Sequence, residues 1–201
     1  MKPFTTLTSR AVPLLRDNID TDAIIPSREI KSVSKQGLAM GLFAGWRYTR
    51  IGSREENPEF VLNKPEYKGA LMLLGGSNFG CGSSREHAVW ALAEYGFRVI
   101  IASSFNPIFR GNCIRNGVLP VVLEVAPLAM AVQPLTIDLP QQLIAAADGT
   151  AWSFEIDAES KDILINGLDT ISLTLQLRGL IDDFRSADQY NRPWIYLETM
   201  K

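Results

Sequence analysis

The sequence is poor in the side chains that bind metals or form disulfides. It contains two cysteines, Cys81 and Cys113, and one histidine, His87. Two cysteines are too few for a disulfide framework, and their spacing matches no metal-binding motif. A cubane iron–sulfur cluster needs about three or four thiolates, and a structural zinc site needs about four ligands, so we expect this chain to hold no metal and no cofactor by itself. Low cysteine usage is also typical of a cytoplasmic protein.

Long hydrophobic runs and concentrated positive charge are absent as well. No apolar stretch reaches the roughly 18 residues of a transmembrane helix, and residues 1–22 lack the continuous apolar core of a secretory signal. The formal net charge is −2, and the basic residues are scattered along the chain. We therefore expect no membrane segment, and no nucleic acid or acidic membrane surface as a partner, because such partners favour a concentrated basic face.

The composition is that of a globular domain. Hydrophobic residues make up 46% of the 201 residues and charged residues 21%, both near the averages of folded proteins. No internal repeat or low-complexity tract interrupts the chain. We predict a single domain over residues 1–201, with a less regular C-terminal extension from about residue 125.

The middle third of the sequence alternates buried strands with a helix. Residues 70–74 and 99–102 are short apolar runs typical of buried strands, and 118–123 predicts a third strand. Between the first two, residues 84–95 carry apolar side chains at helical spacing and end at Gly96. Strand, helix and strand with short connections predict parallel strands and a right-handed crossover, and hence an α/β fold.

The flanking regions are less regular. The first third is rich in Arg, Gly, Pro and Asn, and residues 52–58 are typical of an exposed loop. Past Glu124, residues 150–156 and 162–165 predict two strands. Residues 168–186 fit either a strand or a helix.

One loop concentrates the unusual residues. The segment from Gly75 to His87 has the sequence GGSNFGCGSSREH and lies between a predicted strand and a predicted helix. Open α/β sheets bind ligands in the crevice beyond the carboxyl ends of their strands. Glycines allow the backbone to approach a ligand closely, and the helix N-terminus offers N–H groups and partial positive charge to an anion. This loop is therefore the candidate site.

Spacing alone leaves three interpretations of this loop open. In a capping box, Ser83 would cap the helix and Glu86 would bond back to it. A dinucleotide site is disfavoured, because Arg85 stands where the third glycine of the G-x-G-x-x-G motif belongs. An organic-anion site accounts for Arg85, since a cation in the first helical turn is unfavourable unless an anion such as a carboxylate lies beside it.

The residues from Phe79 to Ala88, FGCGSSREHA, resemble the signature of the swivelling domain of the aconitase family, which includes the small subunits of isopropylmalate dehydratases. Further blocks of the chain are similar to this family in the same order. These blocks are residues 18–26 (NIDTDAIIP), residues 95–105, the set Ile108, Phe109 and Asn112, residues 116–121 and residues 166–176.

The resemblance implies a fold, a reaction and a partner. The fold would be a three-layer β/β/α swivel domain with a largely parallel core sheet. The reaction would be dehydration and rehydration of a small 2-hydroxy diacid, as in the isomerisation of isopropylmalate for leucine biosynthesis. In this family a cysteine-rich large subunit holds a [4Fe–4S] cluster whose open iron acts as a Lewis acid. The chain would then be a small subunit that is active only with that large subunit.

The resemblance also assigns roles within the loop. By position, Ser83 would be the general base on the carbon-bound proton of the substrate. Ser84 would donate hydrogen bonds at a substrate carboxylate, and Arg85 would clamp the same carboxylate. For His87, which lies one turn into the predicted helix, we expect a structural role.

A second short segment accompanies the loop. Asp20, Thr21 and Asp22 precede an apolar run at residues 23–25, which predicts a short strand. Turns closed by Asx side chains explain these residues adequately. The resemblance adds another interpretation, in which the three residues orient the active-site loops, and both interpretations stay open.

Substrate choice in the family depends on the residues after the Ile-Ile-Pro element, which here are Arg28, Glu29, Ile30 and Lys31. We expect these four residues to bind the variable side chain of the substrate. Ile30 suits an isopropyl group, whereas Glu29 and Lys31 are unexpected beside one, and many members carry an aromatic residue followed by Leu where this chain has Glu29 and Ile30. Hydro-lyases of homoaconitate, citraconate or dimethylmalate are therefore alternatives, and a non-catalytic organic-anion-binding module is an alternative of another class.

Overall fold

A computed structural model of the protein describes residues 1–31 and 33–196. The chain divides into two compact units, Met1–Gly167 and Leu168–Lys201. The strands are β1 Thr6–Ser9, β2 Ala11–Leu14, β3 Met72–Gly75, β4 Val99–Ala102, β5 Leu119–Val122, β6 Leu135–Asp138, β7 Leu143–Ala146 and β8 Ala151–Ser153. The helices are α1 Thr21–Ile24, α2 Ala44–Arg47, α3 Glu86–Tyr95, α4 Pro107–Arg115, α5 Val125–Met130, α6 Ala158–Asn166, α7 Thr170–Leu175 and α8 Arg178–Asn191. Single turns of 3-10 helix occupy Ser27–Glu29, Ala39–Gly41, Val61–Asn63, Pro65–Tyr67 and Pro193–Ile195.

The first unit is built on a parallel sheet with the strand order β2-β3-β4-β5, in which every neighbouring pair is parallel. The central strands β3 and β4 are buried along their whole length. Pro13 and Pro120 lie in the two edge strands, where a missing N–H is tolerated. The predicted alternation of strand, helix and strand is confirmed, and so is the largely parallel core sheet.

A second sheet is antiparallel, with the strand order β1-β6-β7-β8. Burial alternates along β6, where Leu135 and Ile137 are buried and the residues between and after them are partly exposed. Such alternation is expected of a sheet that packs on one face only. Strand β8 lies within the strand predicted over residues 150–156, whereas β1, β6 and β7, like β2 of the parallel sheet, were not predicted from the sequence.

Hydrophobic cores lie on both faces of the parallel sheet, because successive strand residues point to opposite sides. One core contains Met72 and Leu74 of β3 together with Ile137 of the antiparallel sheet. The other contains Leu73 of β3 together with Leu92 of α3. The layers are therefore antiparallel sheet, parallel sheet and helices, and the predicted three-layer β/β/α architecture is confirmed.

The prediction of a strand over residues 162–165 is wrong, because these residues lie in α6. Asp157 caps the helix, and its Oδ1 accepts a hydrogen bond from the backbone N–H of Ser160 at 2.8 Å. Gly167 ends the helix in the left-handed conformation, with φ of 66°. A short apolar run fits a strand or a helix equally well, and here the two caps determine the helix.

The described residues of the second unit, 168–196, are helical. Asp169 caps α7 by accepting a hydrogen bond from the backbone N–H of Ser172 at 2.6 Å, and α8 follows after a short connection. Of the two alternatives for residues 168–186, the helix is correct. None of the helices in the described part of the chain is both long enough and apolar enough to cross a membrane.

Candidate active site

The candidate loop leaves β3 at Gly75 and reaches α3 at Glu86. Two of its glycines allow close packing that no side chain would permit. A Cβ atom on Gly76 would lie 2.6 Å from the carbonyl oxygen of Arg16, and one on Gly80 would lie 2.1 Å from Cγ of Phe109. Gly80 also has φ of +75°, which favours glycine. The loop therefore packs against the segment after β2 on one side and against α4 on the other.

The N-terminal segment around Asp20 runs beside this loop. The backbone N–H of Gly80 donates to the carbonyl of Ile19 at 2.7 Å, and that of Thr21 donates to the carbonyl of Cys81 at 2.9 Å. Asp20 and Cys81 form an isolated parallel bridge. The fold thus brings together two sequence blocks that are far apart in the chain.

Two side chains of the N-terminal segment bind the loop directly. The hydroxyl of Thr21, a buried residue, donates to the carbonyl of Ser83 at 3.0 Å. Asp22 Oδ1 accepts a hydrogen bond from Nη1 of Arg85 at 2.5 Å. The backbone N–H of Arg85 also donates to the Ser83 carbonyl, at 2.7 Å. These contacts hold the backbone at Ser83 and the guanidinium of Arg85 in place.

Asp20 has a local contact instead. Its Oδ1 accepts a hydrogen bond from the backbone N–H of Ala23 at 2.6 Å and caps the short helix α1. This is the Asx-type bond expected from the sequence. The short strand predicted at residues 23–25 is wrong, because the cap at Asp20 starts a helical turn over Thr21–Ile24. For Thr21 and Asp22 the contacts run to the loop, so the two interpretations of the segment apply to different residues. That these residues orient the loop for catalysis stays a prediction.

The hydroxyl groups of Ser83 and Ser84 are exposed, and no hydrogen bond to either is found in the described part of the chain. The capping box, one of the three interpretations of the loop, does not form. Helix α3 begins at Glu86, with Arg85 at the N-cap position and no side-chain cap. Glu86 accepts a hydrogen bond from Nδ2 of Asn116 at 2.7 Å instead. The contacts from Thr21 and Arg85 to the Ser83 carbonyl keep this residue outside the helix.

Arg85 is partly exposed, with 27% of its side chain accessible, and Asp22 is 55% accessible. Such a partly exposed pair contributes only about 0–1 kcal/mol to stability. A guanidinium has five N–H donors, and among the described residues only Asp22 accepts from this one. Arg85 therefore keeps donors for an external carboxylate, beside two hydroxyls at the N-terminus of α3. This arrangement can bind an organic anion.

The four residues predicted to bind the substrate side chain differ in their surroundings. The side chain of Glu29 is 7% exposed and forms an ion pair with Arg54, whose Nη2 lies 2.6 Å from Glu29 Oε2. Ile30 is partly buried and packs against the core on the helix side of the parallel sheet. Arg28 and Lys31 are exposed. The pocket-lining role of these residues stays a prediction.

The cysteines and the histidine form no cluster. Cys113 is buried in α4, and burial raises the pKa of its thiol, so it stays protonated and is a poor metal ligand. Cys81 is partly exposed in the loop. His87 contacts the ring of Trp90 with a centroid separation of 4.6 Å. Within residues 1–31 and 33–196, no group of three or more His, Cys, Asp or Glu side chains is placed to hold a metal ion.

Sequence reasoning missed two charged residues near the site segments. Arg54 lies in a segment predicted as an exposed loop, and it forms the ion pair with Glu29. Glu94 of α3 accepts hydrogen bonds from the backbone N–H groups of residues 37–39 at 2.6, 2.5 and 2.8 Å. Neither residue belongs to a motif, and no sequence signal distinguishes them from other surface charges.

The chain is similar to proteins of one family over nearly its whole length. The model of the aconitase C-terminal domain matches residues 1–126, and a model described as LeuD_N matches residues 132–158. The 3-isopropylmalate dehydratase small subunit of Cupriavidus necator is 54% identical over 207 residues, covering 98% of this chain and 100% of that protein. The protein of the same name from Rhodopseudomonas palustris is 48% identical and covers 96% of this chain and 100% of its own. A crystal structure of 3-isopropylmalate dehydratase (leuD) from Methanocaldococcus jannaschii has a TM-score of 0.67 and 28% identity, covering 90% of this chain and 99% of that one.

Proposed function

The chain belongs to the aconitase family, among the 3-isopropylmalate dehydratase small subunits, and on this premise we propose that it acts with a large subunit to interconvert 2-isopropylmalate and 3-isopropylmalate in leucine biosynthesis. The reaction removes water from one isomer and adds it back with the opposite orientation. The observation that carries the proposal is the contact between Asp22 and Arg85, beside the free hydroxyls of Ser83 and Ser84.

Arg85 binds a carboxylate of the substrate. Asp22 occupies Nη1 of the guanidinium, which leaves Nε and Nη2 for two parallel hydrogen bonds to a carboxylate. The N-terminus of α3 adds favourable electrostatics for the same anion. Because Asp22 holds the guanidinium before the substrate arrives, less side-chain freedom is lost on binding.

The two serines act on the same part of the substrate. Ser83 Oγ, as the alkoxide, takes the proton from the carbon next to the one that carries the hydroxyl group, and it returns a proton during rehydration. The guanidinium of Arg85 and the helix N-terminus favour the deprotonated serine. Ser84 donates a hydrogen bond to the carboxylate bound by Arg85. Thr21 fixes the backbone of Ser83 by donating to its carbonyl.

The substrate side chain is recognised by the segment from Arg28 to Lys31. Ile30 provides an apolar surface suited to an isopropyl group. Glu29 is turned to Arg54, so its carboxylate does not oppose an apolar substrate group. This arrangement favours isopropylmalate over a tricarboxylate such as homoaconitate.

The large subunit carries the [4Fe–4S] cluster on its own cysteines. The residues of this chain do not fit such a group, since Cys113 is buried with a raised pKa and Cys81 has no second thiol beside it among the described residues. A cluster requires about three or four thiolate ligands. The contribution of this chain is therefore to bind, orient and deprotonate the diacid.

Reconstitution with a large subunit from a related enzyme tests the proposal. The complex should interconvert the two isopropylmalates, and Arg85→Lys should lower kcat/KM at least about 30-fold, because an ammonium keeps the charge but not the two-pronged geometry. Arg178→Lys, in an exposed pair of α8, is the matched control and should have no effect. A complex active only on another diacid would reassign the substrate. Activity of Arg85→Lys within about threefold of wild type would remove Arg85 from the site.

A further inference from the structure

Glu29 is an almost buried carboxylate within the segment proposed to select the substrate. Its side chain is 7% exposed, and Arg54 Nη2 lies 2.6 Å from its Oε2. Nε of Arg28 lies 3.9 Å from its other oxygen. Burying a carboxylate is costly unless it is paired and hydrogen-bonded. The inward position of Glu29 therefore depends on Arg54.

Arg54 binds a second turn at the same time. Its Nη1 donates to the carbonyl of Met40 at 3.2 Å, which also accepts the hydroxyl hydrogen of Tyr48 at 2.9 Å. The guanidinium lies 5.0 Å from the centre of the Tyr48 ring. The hydrogen bond to Glu29 raises the pKa of Arg54, so the arginine stays charged. One planar side chain thus connects Glu29 to the turn Ala39–Gly41.

The two turns joined by Arg54 are in direct contact. A Cβ atom on Gly41 would lie 2.6 Å from Cβ of Glu29 and 3.4 Å from Cδ1 of Ile25. Only a glycine allows the turn Ala39–Gly41 to approach Glu29 so closely. The turn Ser27–Glu29 therefore packs against the turn Ala39–Gly41, which Arg54 also binds.

The other end of the turn Ser27–Glu29 leads to the proposed carboxylate clamp. The hydroxyl of Ser27 donates to Asp22 Oδ1 at 3.2 Å, and the same oxygen accepts from Arg85 Nη1 at 2.5 Å. The turn is thus bound at its first residue to the carboxylate that orients Arg85, and at its last residue to Arg54. Ile30 follows immediately in the chain.

We propose that Arg54 is a positioning residue for substrate selection. Through Glu29 it holds the turn Ser27–Glu29, and with it Ile30, at a constant distance from Arg85. The inference rests on the proposed function, because it presumes that Ile30 faces the substrate side chain. A rigid apolar surface such as Ile30 would separate the kcat/KM values of substrates that differ by one methylene by about 10- to 200-fold. If the surface can shift, it also contacts smaller groups, and part of this difference in kcat/KM is lost.

The test compares two substrates with wild-type and variant chains in the complex with a large subunit. The substrates are 3-isopropylmalate and 3-methylmalate, which has a methyl in place of the isopropyl group. Arg54→Met should lower the ratio of their kcat/KM values at least about fivefold, mainly by raising KM for 3-isopropylmalate. Arg54→Lys keeps the charge but cannot bind Glu29 and Met40 together in the same plane, so its ratio should fall between wild type and Arg54→Met.

A merely structural ion pair would lower the thermal midpoint without changing this ratio. Arg178→Met, which breaks an exposed pair with Asp182 at 3.5 Å, is the control and should leave the ratio unchanged.

If Arg54→Met does not fold, the variants Glu29→Gln and Arg54→Lys decide the question. A ratio within about twofold of wild type in both variants would overturn the inference. If the wild-type complex converts neither substrate, the proposed function itself is wrong. If wild type and the variants favour 3-isopropylmalate over 3-methylmalate to the same extent, only the proposed role of Arg54 is wrong.

Discussion

Residues 72–122 and residues 15–71 are stabilised in different ways, although both contribute to the candidate site. In the first region, three parallel strands pair through their backbones, and β3 and β4 are buried along their length. The described residues of the second region contain only α1, α2 and four single turns of 3-10 helix. The second region shares the apolar core of the first, to which it contributes Ile24, Leu42 and Phe43. With so few backbone ladders, however, it also relies on polar side chains that bind the main chain.

Arg47 and Asn63 illustrate this dependence. Arg47 is 6% exposed, and its Nη1 donates to the carbonyl of Ala39 at 2.8 Å. Nδ2 of Asn63 donates to the carbonyls of Arg47 and Asn57 at 2.6 and 2.8 Å. Each such bond contributes about 0.5–1.5 kcal/mol, but a buried partner left unpaired costs about 1–3 kcal/mol. Single polar substitutions in residues 15–71 should therefore weaken the main-chain contacts of individual turns, a form of stabilisation that the paired strands of residues 72–122 do not need.

The largest expected effect is on chemistry, in the loop that the first region presents. Ser83→Ala should lower kcat about 10²- to 10⁴-fold with little change in KM, because a general base acts in the transition state. Since the Ser83 hydroxyl makes no hydrogen bond among the described residues, the free energy of unfolding should change by less than about 0.5 kcal/mol. Steady-state kinetics of the reconstituted complex and denaturant unfolding of the isolated chain measure the two quantities.

Ser77→Ala is the matched control, an exposed serine of the same loop, and it should keep kcat within about twofold. The assignment of Ser83 as the base would be wrong if Ser83→Ala retained kcat within about threefold of wild type. A large loss of stability with normal kcat would point to a structural hydroxyl.

The next largest effect should come from breaking the close packing between the loop and α4. Gly80→Ala places a Cβ 2.1 Å from Cγ of Phe109 and imposes φ of +75° on alanine. Overpacking costs about 1–3 kcal/mol, and the left-handed conformation costs about 1–2 kcal/mol. We expect a loss of about 2–5 kcal/mol in the free energy of unfolding, measured with urea.

Gly149→Ala separates these two contributions. Gly149 has φ of +89°, but no atom lies within 4 Å of the added Cβ. This control should lose only about 1–2 kcal/mol. Equal losses in the two variants would show that Phe109 moves aside for the added methyl group. Apolar packing in residues 72–122 would then be less strict than the contact at Gly80 indicates.

A smaller effect is expected where α3 binds the irregular region. Burial alone would raise the pKa of Glu94, but hydrogen bonds from the backbone N–H groups of Gly37, Ala39 and Leu38 outweigh it and lower the pKa below its ordinary value of 4.5. Glu94→Gln turns an amide N–H₂ toward these donors. Allowing for screening at this exposed site, we expect a loss of about 1–2 kcal/mol near pH 7.

This loss should depend on pH in one direction. A lowered carboxyl pKa stabilises the folded state above the unfolded pKa, and the stabilisation is lost as pH falls through the folded pKa. The difference between wild type and Glu94→Gln should therefore be constant above about pH 5 and shrink below about pH 4.5. Urea unfolding at several pH values measures it, with the exposed Glu66→Gln as control. A difference that grew on acidification would contradict the role of Glu94.

Much of residues 72–122 was predictable because their pattern is local. The apolar runs at 70–74, 99–102 and 118–123 correspond to β3, β4 and β5 within two residues at either end. An apolar run that ends at a glycine, or that is followed by apolar residues at helical spacing, is compatible with few structures other than a buried strand. The candidate loop was also evident, since its glycines, serines and arginine stand together in the chain. Of the interpretations left open for this loop, the capping box does not form, because the backbone of Ser83 is held by Thr21, a contact that spacing does not reveal.

The sequence by itself determined the α/β core, the position of the loop and the family. Each of these depends on neighbouring residues, whose periodicity and order are visible in the chain. The tertiary structure alone decided which charges meet: Asp22 pairs with Arg85 across 63 positions, and Glu29 pairs with Arg54 across 25. A charged side chain has many possible partners of opposite sign, and only the path of the chain through the fold selects one of them, because an ion pair requires contact within a few ångströms.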